Sequence, residues 1–184
     1  MSRRLVLVRH GKAAAGWGDD PDPGLDPSGR AQAEHMAAAV AADGRPRPIL
    51  VSPLRRTRET AAALEQRWGV AAAVDEAVGE IPSPTDDLAE RAAWLAEALQ
   101  GTWADLGPVY AGWRQRVVER LVATEEDTVV VTHFVAINAA VGSALGDDRV
   151  VSFRPGYCSQ TVLDVGAGGL RVVSLGDGSA TRVL

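Results

Sequence analysis

Leu5-Val6-Leu7-Val8 is a continuous apolar run that stops abruptly at Arg9-His10-Gly11. A run this short cannot make a helix and suits a strand buried on both faces. Gly11 then lets the chain turn. Open α/β sheets bind ligands beyond the carboxyl ends of their strands, so a buried strand that delivers a guanidinium and an imidazole there is well placed to build a site. Taken alone, the stretch is equally compatible with a basic strand end at the surface that carries an incidental histidine.

A second apolar strand, Thr128 to Val131, also leads straight into a histidine, at Thr132-His133. If the two strands run parallel, both ends lie on one edge of the sheet and His10 can face His133. A third short strand, Ile49-Leu50-Val51, ends at Ser52-Pro53 and is followed by a helix from Leu54. Leu54, Thr57, Ala61, Leu64 and Trp68 recur as one helical face, and Gly69 closes the helix. Ala71 to Val74 reads as a further strand, which completes a βαβ unit and makes the sheet at least partly parallel. Arg55, Arg56 and Arg58 crowd the start of this helix, on the same edge as the two histidines. Arginines, histidines and a helix N-terminus around one point suit a dianionic phosphoryl group.

The remaining chain supplies the frame. Lys12 to Leu25 is an aperiodic loop rich in Gly, Asp and Pro that is expected at the rim of the site. Asp26-Pro27 opens a helix as N-cap and first helical residue, and the helix stops near Asp43-Gly44. His35 on that helix is read as a surface histidine. Gly79 to Asp87 is too rich in proline for a helix or central strand. Leu88, Ala92, Leu95 and Leu99 mark an amphipathic helix, Gly101 to Pro108 breaks it, and another helix spans about Val109 to Ala123. Trp94, Trp103 and Trp113 fall in this segment and are read as packing residues. A helix from about Val135 to Leu145, a strand Val150 to Phe153, and a hairpin of Thr161–Val165 and Leu170–Leu175 close the chain.

At 184 residues, 46% hydrophobic and 23% charged, the chain suits one globular domain, 1–184. The net charge of −5 argues against nucleic-acid or anionic-membrane partners, so an anionic substrate must be held by a local basic pocket. The single cysteine, Cys158, excludes an internal disulfide framework. No apolar run approaches the ~20 residues of a membrane span, and the first strand begins too early for a signal peptide. A cytoplasmic protein is expected. No metal-ligand spacing and no nucleotide-type phosphate loop is present, so neither a metal nor a cofactor is expected.

Arg9-His10-Gly11, the run Ser52-Pro53-Leu54-Arg55-Arg56-Thr57-Arg58-Glu59-Thr60-Ala61, Glu80, and His133 after its apolar strand together resemble the histidine phosphatase superfamily, which includes the cofactor-dependent phosphoglycerate mutases. The four pieces occur in the family's order over nearly the whole chain. The resemblance implies a three-layer α/β/α sandwich with a mostly parallel central sheet. Residues 81–124 would form a small helical cap. It also selects Arg56 among the three arginines, because the motif counts four residues from the serine. Arg55 is then left to pair with Glu59, and Arg58 to solvent.

The implied mechanism is covalent. His10 attacks phosphorus as a neutral imidazole, Arg9, Arg56 and His133 bind the phosphoryl oxygens, and Glu80 is the general acid and then the base for water. Asp75 and Glu76 are rivals of Glu80 by distance. The chain departs from the family at Lys12-Ala13-Ala14-Ala15-Gly16-Trp17 and at Phe134, where Gly-Gly is common. Lys12 is therefore a candidate substitute charge and Phe134 a candidate pocket wall. The expected activity is that of a metal-independent, histidine acid-type phosphatase acting on a small phosphorylated metabolite. The alternatives are a phosphoglycerate mutase-type phosphotransferase, a protein phosphohistidine phosphatase, or a non-catalytic phospho-ligand-binding module. The short, polar tail Gly176 to Leu184 and the helical segment favour hydrolysis of a small molecule. The oligomeric state cannot be read.

Overall fold

The computed structural model describes residues 2–16 and 18–176. Its strands are β1 Arg3–Arg9, β2 Ile49–Val51, β3 Ala73–Val74, β4 Thr128–Thr132, β5 Gln160–Gly166 and β6 Gly169–Ser174. They form one sheet in the order β3-β2-β4-β1-β5-β6. The four strands from β3 to β1 are mutually parallel, whereas β5 and β6 add antiparallel. The helices are α1 Pro27–Val40, α2 Arg55–Trp68, α3 Leu88–Ala98, α4 Trp103–Leu106, α5 Pro108–Val122 and α6 Phe134–Leu145.

Strand side chains alternate between faces, and that alternation divides the interior into two cores. Leu5, Leu7, Leu50 and Val130 point into a core shared with α6 and with Leu95, Trp103, Trp113, Val117 and Leu121. Val8, Ile49, Val51, Val129 and Val131 point the other way, onto Ala33, Met36 and Ala37 of α1 and Ala61 and Leu64 of α2. The result is the three-layer sandwich expected from the sequence. Each fully buried Val, Leu or Ile contributes roughly 1.5–3 kcal/mol of transfer free energy, so both faces must stay covered.

Local signals account for the helix ends. The Asp26 side chain accepts from Gly29 N at 2.6 Å with Pro27 at the first helical position. Gly69, at φ 65°, ends α2 in the left-handed conformation that glycine adopts without steric cost. Leu54 caps α2 rather than starting it. His35 is exposed, as expected.

Three expectations need correction. Val150 to Phe153 is not a strand. Asn138 Oδ1 takes the backbone N–H groups of Ser152 and Phe153, at 2.8 and 3.1 Å, so this segment satisfies its polar groups on α6 instead of on a ladder. The break at Gly101 to Pro108 contains the one-turn helix α4, held by a reciprocal capping box between Thr102 and Asp105. The strand at Ala71 to Val74 shrinks to two exposed edge residues. The three tryptophans pack as read: Trp103 and Trp113 stack with ring centroids 5.8 Å apart, and Trp94 lies against the same core. Trp17 and the tail 177–184 lie outside the described residues.

Candidate active site

The sheet register brings the two histidines together. β1 and β4 run parallel with Arg9 opposite Thr132, so the next residue on each chain is a histidine. His10 N donates to Thr132 O at 3.0 Å, and the two imidazole centroids are 5.3 Å apart. Arg56 enters from the second residue of α2, immediately beyond β2. Glu80 follows a turn whose Val78 carbonyl accepts from Thr132 Oγ1 at 2.6 Å. The cluster thus sits at the carboxyl ends of adjacent parallel strands, where such sheets build their sites.

The hydrogen bonds determine which nitrogen of His10 is free. Nδ1 lies 2.7 Å from the Gly11 carbonyl, which only accepts, so Nδ1 carries the proton. Nε2 accepts from Arg56 Nε at 3.2 Å and is therefore the unprotonated nitrogen. Burial, then the positive charges of Arg56 and Arg9, push the His10 pKa well below 6.5. A neutral imidazole with a lone pair on Nε2 is the form a nucleophile requires.

His133 is fully buried and is held at both nitrogens. Nε2 is 2.7 Å from Ser52 Oγ, and Nδ1 is 3.3 Å from both Glu80 Oε2 and Arg56 Nη2. Burial first, then Arg56, His10 and Arg9, lower its pKa well below 6.5. Glu80 lies 3.5 Å from Arg56 Nη2. Burial raises the Glu80 pKa, although Arg56, the Ile81 N–H and Arg9 pull the other way. A carboxyl with a raised pKa beside a phosphoryl-sized site is suited to donate a proton.

Arg9 is 3% exposed. Its Nη1 donates to Pro155 O at 2.9 Å, and its Cζ lies 4.1 Å from the Tyr157 ring centroid and 5.2 Å from that of Phe134. Burial lowers its pKa, offset by the Tyr157 phenol and Glu80. Arg9, His10, Arg56, Glu80 and Phe134 all line one cavity of about 60 Å³. At roughly 10–15 Å³ per water position this holds only a few waters. That size suits a phosphoryl group; Ala15, Pro21, Pro23, Arg91 and Leu95 are also on the lining.

The structure does not bring Lys12 into this cluster. Its ammonium lies 3.0 Å from Asp26 Oδ2, at the start of α1. Arg55 pairs with Glu59 at 2.7 Å, and Arg58 is exposed. Asp75 pairs with Arg120 at 2.5 Å and Glu76 is exposed, which leaves Glu80 as the one of these three that lines the cavity, where Asp20 is a second carboxyl. Three residues at the site escaped the sequence reading. Ser52 contacts His133, Tyr157 covers Arg9, and Asp22 accepts from Arg55 N at 2.8 Å with Oδ1 4.0 Å from Arg56 Nη1. Ser52 was in plain view as the first residue of the arginine motif. Nothing local marks Tyr157 or Asp22.

A close backbone crossing holds the His10 loop in place. A Cβ on Gly11 would lie 2.6 Å from Gly29 O, and one on Gly29 would lie 2.1 Å from Lys12 O. Only glycines let α1 approach the loop this closely. Thr60 Oγ1 joins the same loop to α2, accepting from Gly11 N at 3.0 Å and donating to Arg56 O at 2.7 Å.

The family model of the histidine phosphatase superfamily (branch 1) matches residues 5–178. Among solved structures, "Mycobacterial hydrolase 1" is 25% identical with a TM-score of 0.73, covering 97% of this chain and 100% of its own. A mycobacterial glucosyl-3-phosphoglycerate phosphatase complexed with VO3 is 27% identical with a TM-score of 0.69, over 96% of this chain and 100% of its own. An Entamoeba histolytica phosphoserine phosphatase mutant in complex with phosphoserine, 21% identical with a TM-score of 0.71 over 94% and 96%, shares the fold. No curated protein gave a significant match.

Proposed function

The chain belongs to the histidine phosphatase superfamily, and from that premise we propose that it is a metal-independent phosphatase that hydrolyses a small-molecule phosphomonoester through a phosphohistidine at His10. The observation that carries this reading is the state of His10: Nδ1 is tied to the Gly11 carbonyl, and Nε2 is unprotonated, its lone pair accepting from Arg56 until a phosphoryl group draws that donor away.

In the proposed reaction the phosphoryl group enters the cavity against Arg9 and Arg56, which line it, with His133 buried beside Arg56 and off the lining. His10 Nε2 forms a bond to phosphorus as the bond to the leaving oxygen breaks. The two guanidinium groups balance the charge on the three non-bridging oxygens, the main contribution a protein can make to phosphoryl transfer, and His133, a neutral imidazole, adds no charge of its own. Glu80 gives its proton to the departing alkoxide. The carboxylate so formed takes a proton from water, which attacks the phosphohistidine and releases inorganic phosphate. Positive charge comes from the arginines, so no metal is assigned a part.

The substrate class is a small phosphorylated metabolite. A tight cavity lined in part by the 12–25 loop and α3 supports it, as does the named activity of the mycobacterial relative. In this proposal the 81–124 segment acts as the specificity cap, Phe134 is a wall of the pocket, and the setting is cytoplasmic. Among the described residues no helix is long and apolar enough to cross a membrane.

The test is turnover of p-nitrophenyl phosphate by wild type and His10→Ala with EDTA present, from about pH 5 to 8, the range in which an unperturbed histidine titrates. Chelator-resistant activity that is abolished in the variant is expected, together with an acid-labile phosphoenzyme in a rapid quench. Full activity in His10→Ala rules the mechanism out.

A further inference from the structure

We propose that Tyr157 is a positioning residue for this reaction, holding the Arg9 guanidinium by its face so that the N–H edge stays open to the phosphoryl oxygens. The inference rests on the phosphatase reading of the same site and adds to it a residue outside the motif set.

The two site arginines are neutralised in different ways. Arg56 has carboxylates beside it, Glu80 at 3.5 Å and Asp22 at 4.0 Å. Arg9 makes no ion pair among the described residues. Its partners are the Pro155 carbonyl, the Phe134 ring at 5.2 Å from Cζ, and Tyr157, whose ring centroid lies 4.1 Å from Cζ and whose phenol also acts on the guanidinium. Its Nε is buried without a partner. A carboxylate would hold a guanidinium through the same N–H groups that bind phosphate and would compete with the substrate. An aromatic face attracts the cation through its quadrupole and occupies none of those donors.

The chain around Tyr157 is arranged to hold the ring there. Cys158 N donates to Arg9 O at 2.9 Å and Arg9 N donates to Ser159 O at 3.4 Å, so the two residues that follow Tyr157 are stapled to the Arg9 backbone. Among the described residues Cys158 is the one non-glycine with positive φ, at 56°. Such conformations in non-glycine residues persist where surrounding structure enforces them, and they cluster at functional sites. The Tyr157 ring centroid is 6.1 Å from that of His10, so it also flanks the nucleophile.

The experiment compares Tyr157→Phe, which keeps the ring, with Tyr157→Leu, which keeps apolar bulk and removes the quadrupole. Tyr157→Met replaces the leucine variant if that protein does not fold. Steady-state p-nitrophenyl phosphate turnover, vanadate affinity, inorganic phosphate affinity and melting temperature are measured for each. The expectation is a loss of about 30-fold in kcat for the leucine variant, the order of a desolvated cation–π contact. Vanadate, which imitates the transition state, loses more affinity than phosphate, and the melting temperature stays near wild type. The phenylalanine variant stays within about twofold of wild type throughout. Wild-type kcat and vanadate affinity in the leucine variant overturn the proposal, as does a phenylalanine variant that falls as far as leucine. Failure of the phosphatase reading is seen separately, as full activity in His10→Ala or no turnover by wild type, and vanadate affinity then still decides the role of Tyr157.

Discussion

Arg56 donates its Nε–H to His10 Nε2 across 3.2 Å. The nucleophilic nitrogen is thereby occupied by a donor that a phosphoryl oxygen must draw away as the substrate binds. The same guanidinium reaches Glu80 and His133 through Nη2, at 3.5 and 3.3 Å. One side chain therefore contacts the proposed nucleophile, the proposed acid and the second histidine.

Replacing Arg56 by lysine keeps the charge and loses the fork that touches all three groups. Arg56→Lys is expected to lower kcat/KM about 100-fold, close to 3 kcal/mol of transition-state stabilisation. Arg56 is also the largest cause after burial of the low His10 pKa. In Arg56→Met the His10 titration followed by NMR should therefore move upward. Kinetics within twofold of wild type for the lysine variant would sink this account.

Glu80 bears on the leaving group and not on the attack. p-Nitrophenolate leaves without a proton, whereas an alkoxide needs one. In kcat/KM, which reports formation of the phosphohistidine and not its hydrolysis, Glu80→Gln should therefore cost about 100-fold or more on an alkyl phosphate and much less on p-nitrophenyl phosphate. Because burial raises the Glu80 pKa, alkyl phosphate turnover should fall as pH rises through that pKa, and Glu80→Gln should remove this limb. Equal losses on both substrates contradict the assignment.

Stability should fall on mild acidification. His10 and His133 both have folded pKa values well below 6.5. The unfolded chain then binds protons at a pH where the folded chain does not. Their contribution is complete above 6.5 and is lost as pH falls below it, by up to about 1.4 kcal/mol per pH unit for each histidine. Glu80, with its raised pKa, has the opposite sign: its contribution is present at low pH and fades as pH rises through its folded pKa. Two histidines outweigh one carboxyl below 6.5. Urea midpoints between pH 7.5 and about 5 should decrease, and less steeply in His10→Ala; a flat wild-type profile tells against the buried neutral pair.

The Gly11–Gly29 crossing couples α1 to the nucleophile loop. A methyl group on Gly29 would meet Lys12 O at 2.1 Å and Lys12 N at 2.8 Å, both backbone atoms with no easy retreat. Gly29→Ala should destabilise the fold by about 1–3 kcal/mol through overpacking and lower kcat by displacing His10. The neighbouring Ser28, which is exposed, tolerates alanine in the same assays. Equal melting temperatures for the two variants would show that the loop can move aside.

Short-range information in the sequence settled a good deal. Apolar runs that end in Arg9-His10 and Thr132-His133 mark two buried strands and place a histidine after each, because burial on both faces requires uninterrupted apolar residues. Asp26-Pro27 and Gly69 marked helix ends through capping chemistry that depends on a few neighbours. The family resemblance, and not local spacing by itself, singled out Arg56 from Arg55 and Arg58, which the structure finds buried, ion-paired and exposed respectively. The tertiary structure decided what depends on distant groups. Lys12 turned to Asp26 because a carboxylate at a helix start lay nearer than the cavity. Val150 to Phe153 left the sheet because Asn138, on another element, took its N–H groups. Tyr157 arrived on Arg9 because β5 pairs antiparallel to β1 and carries the preceding turn across the end of that strand. No periodicity or local spacing encodes a contact between residues 148 positions apart, and so half of the environment of Arg9 existed only once the sheet had formed.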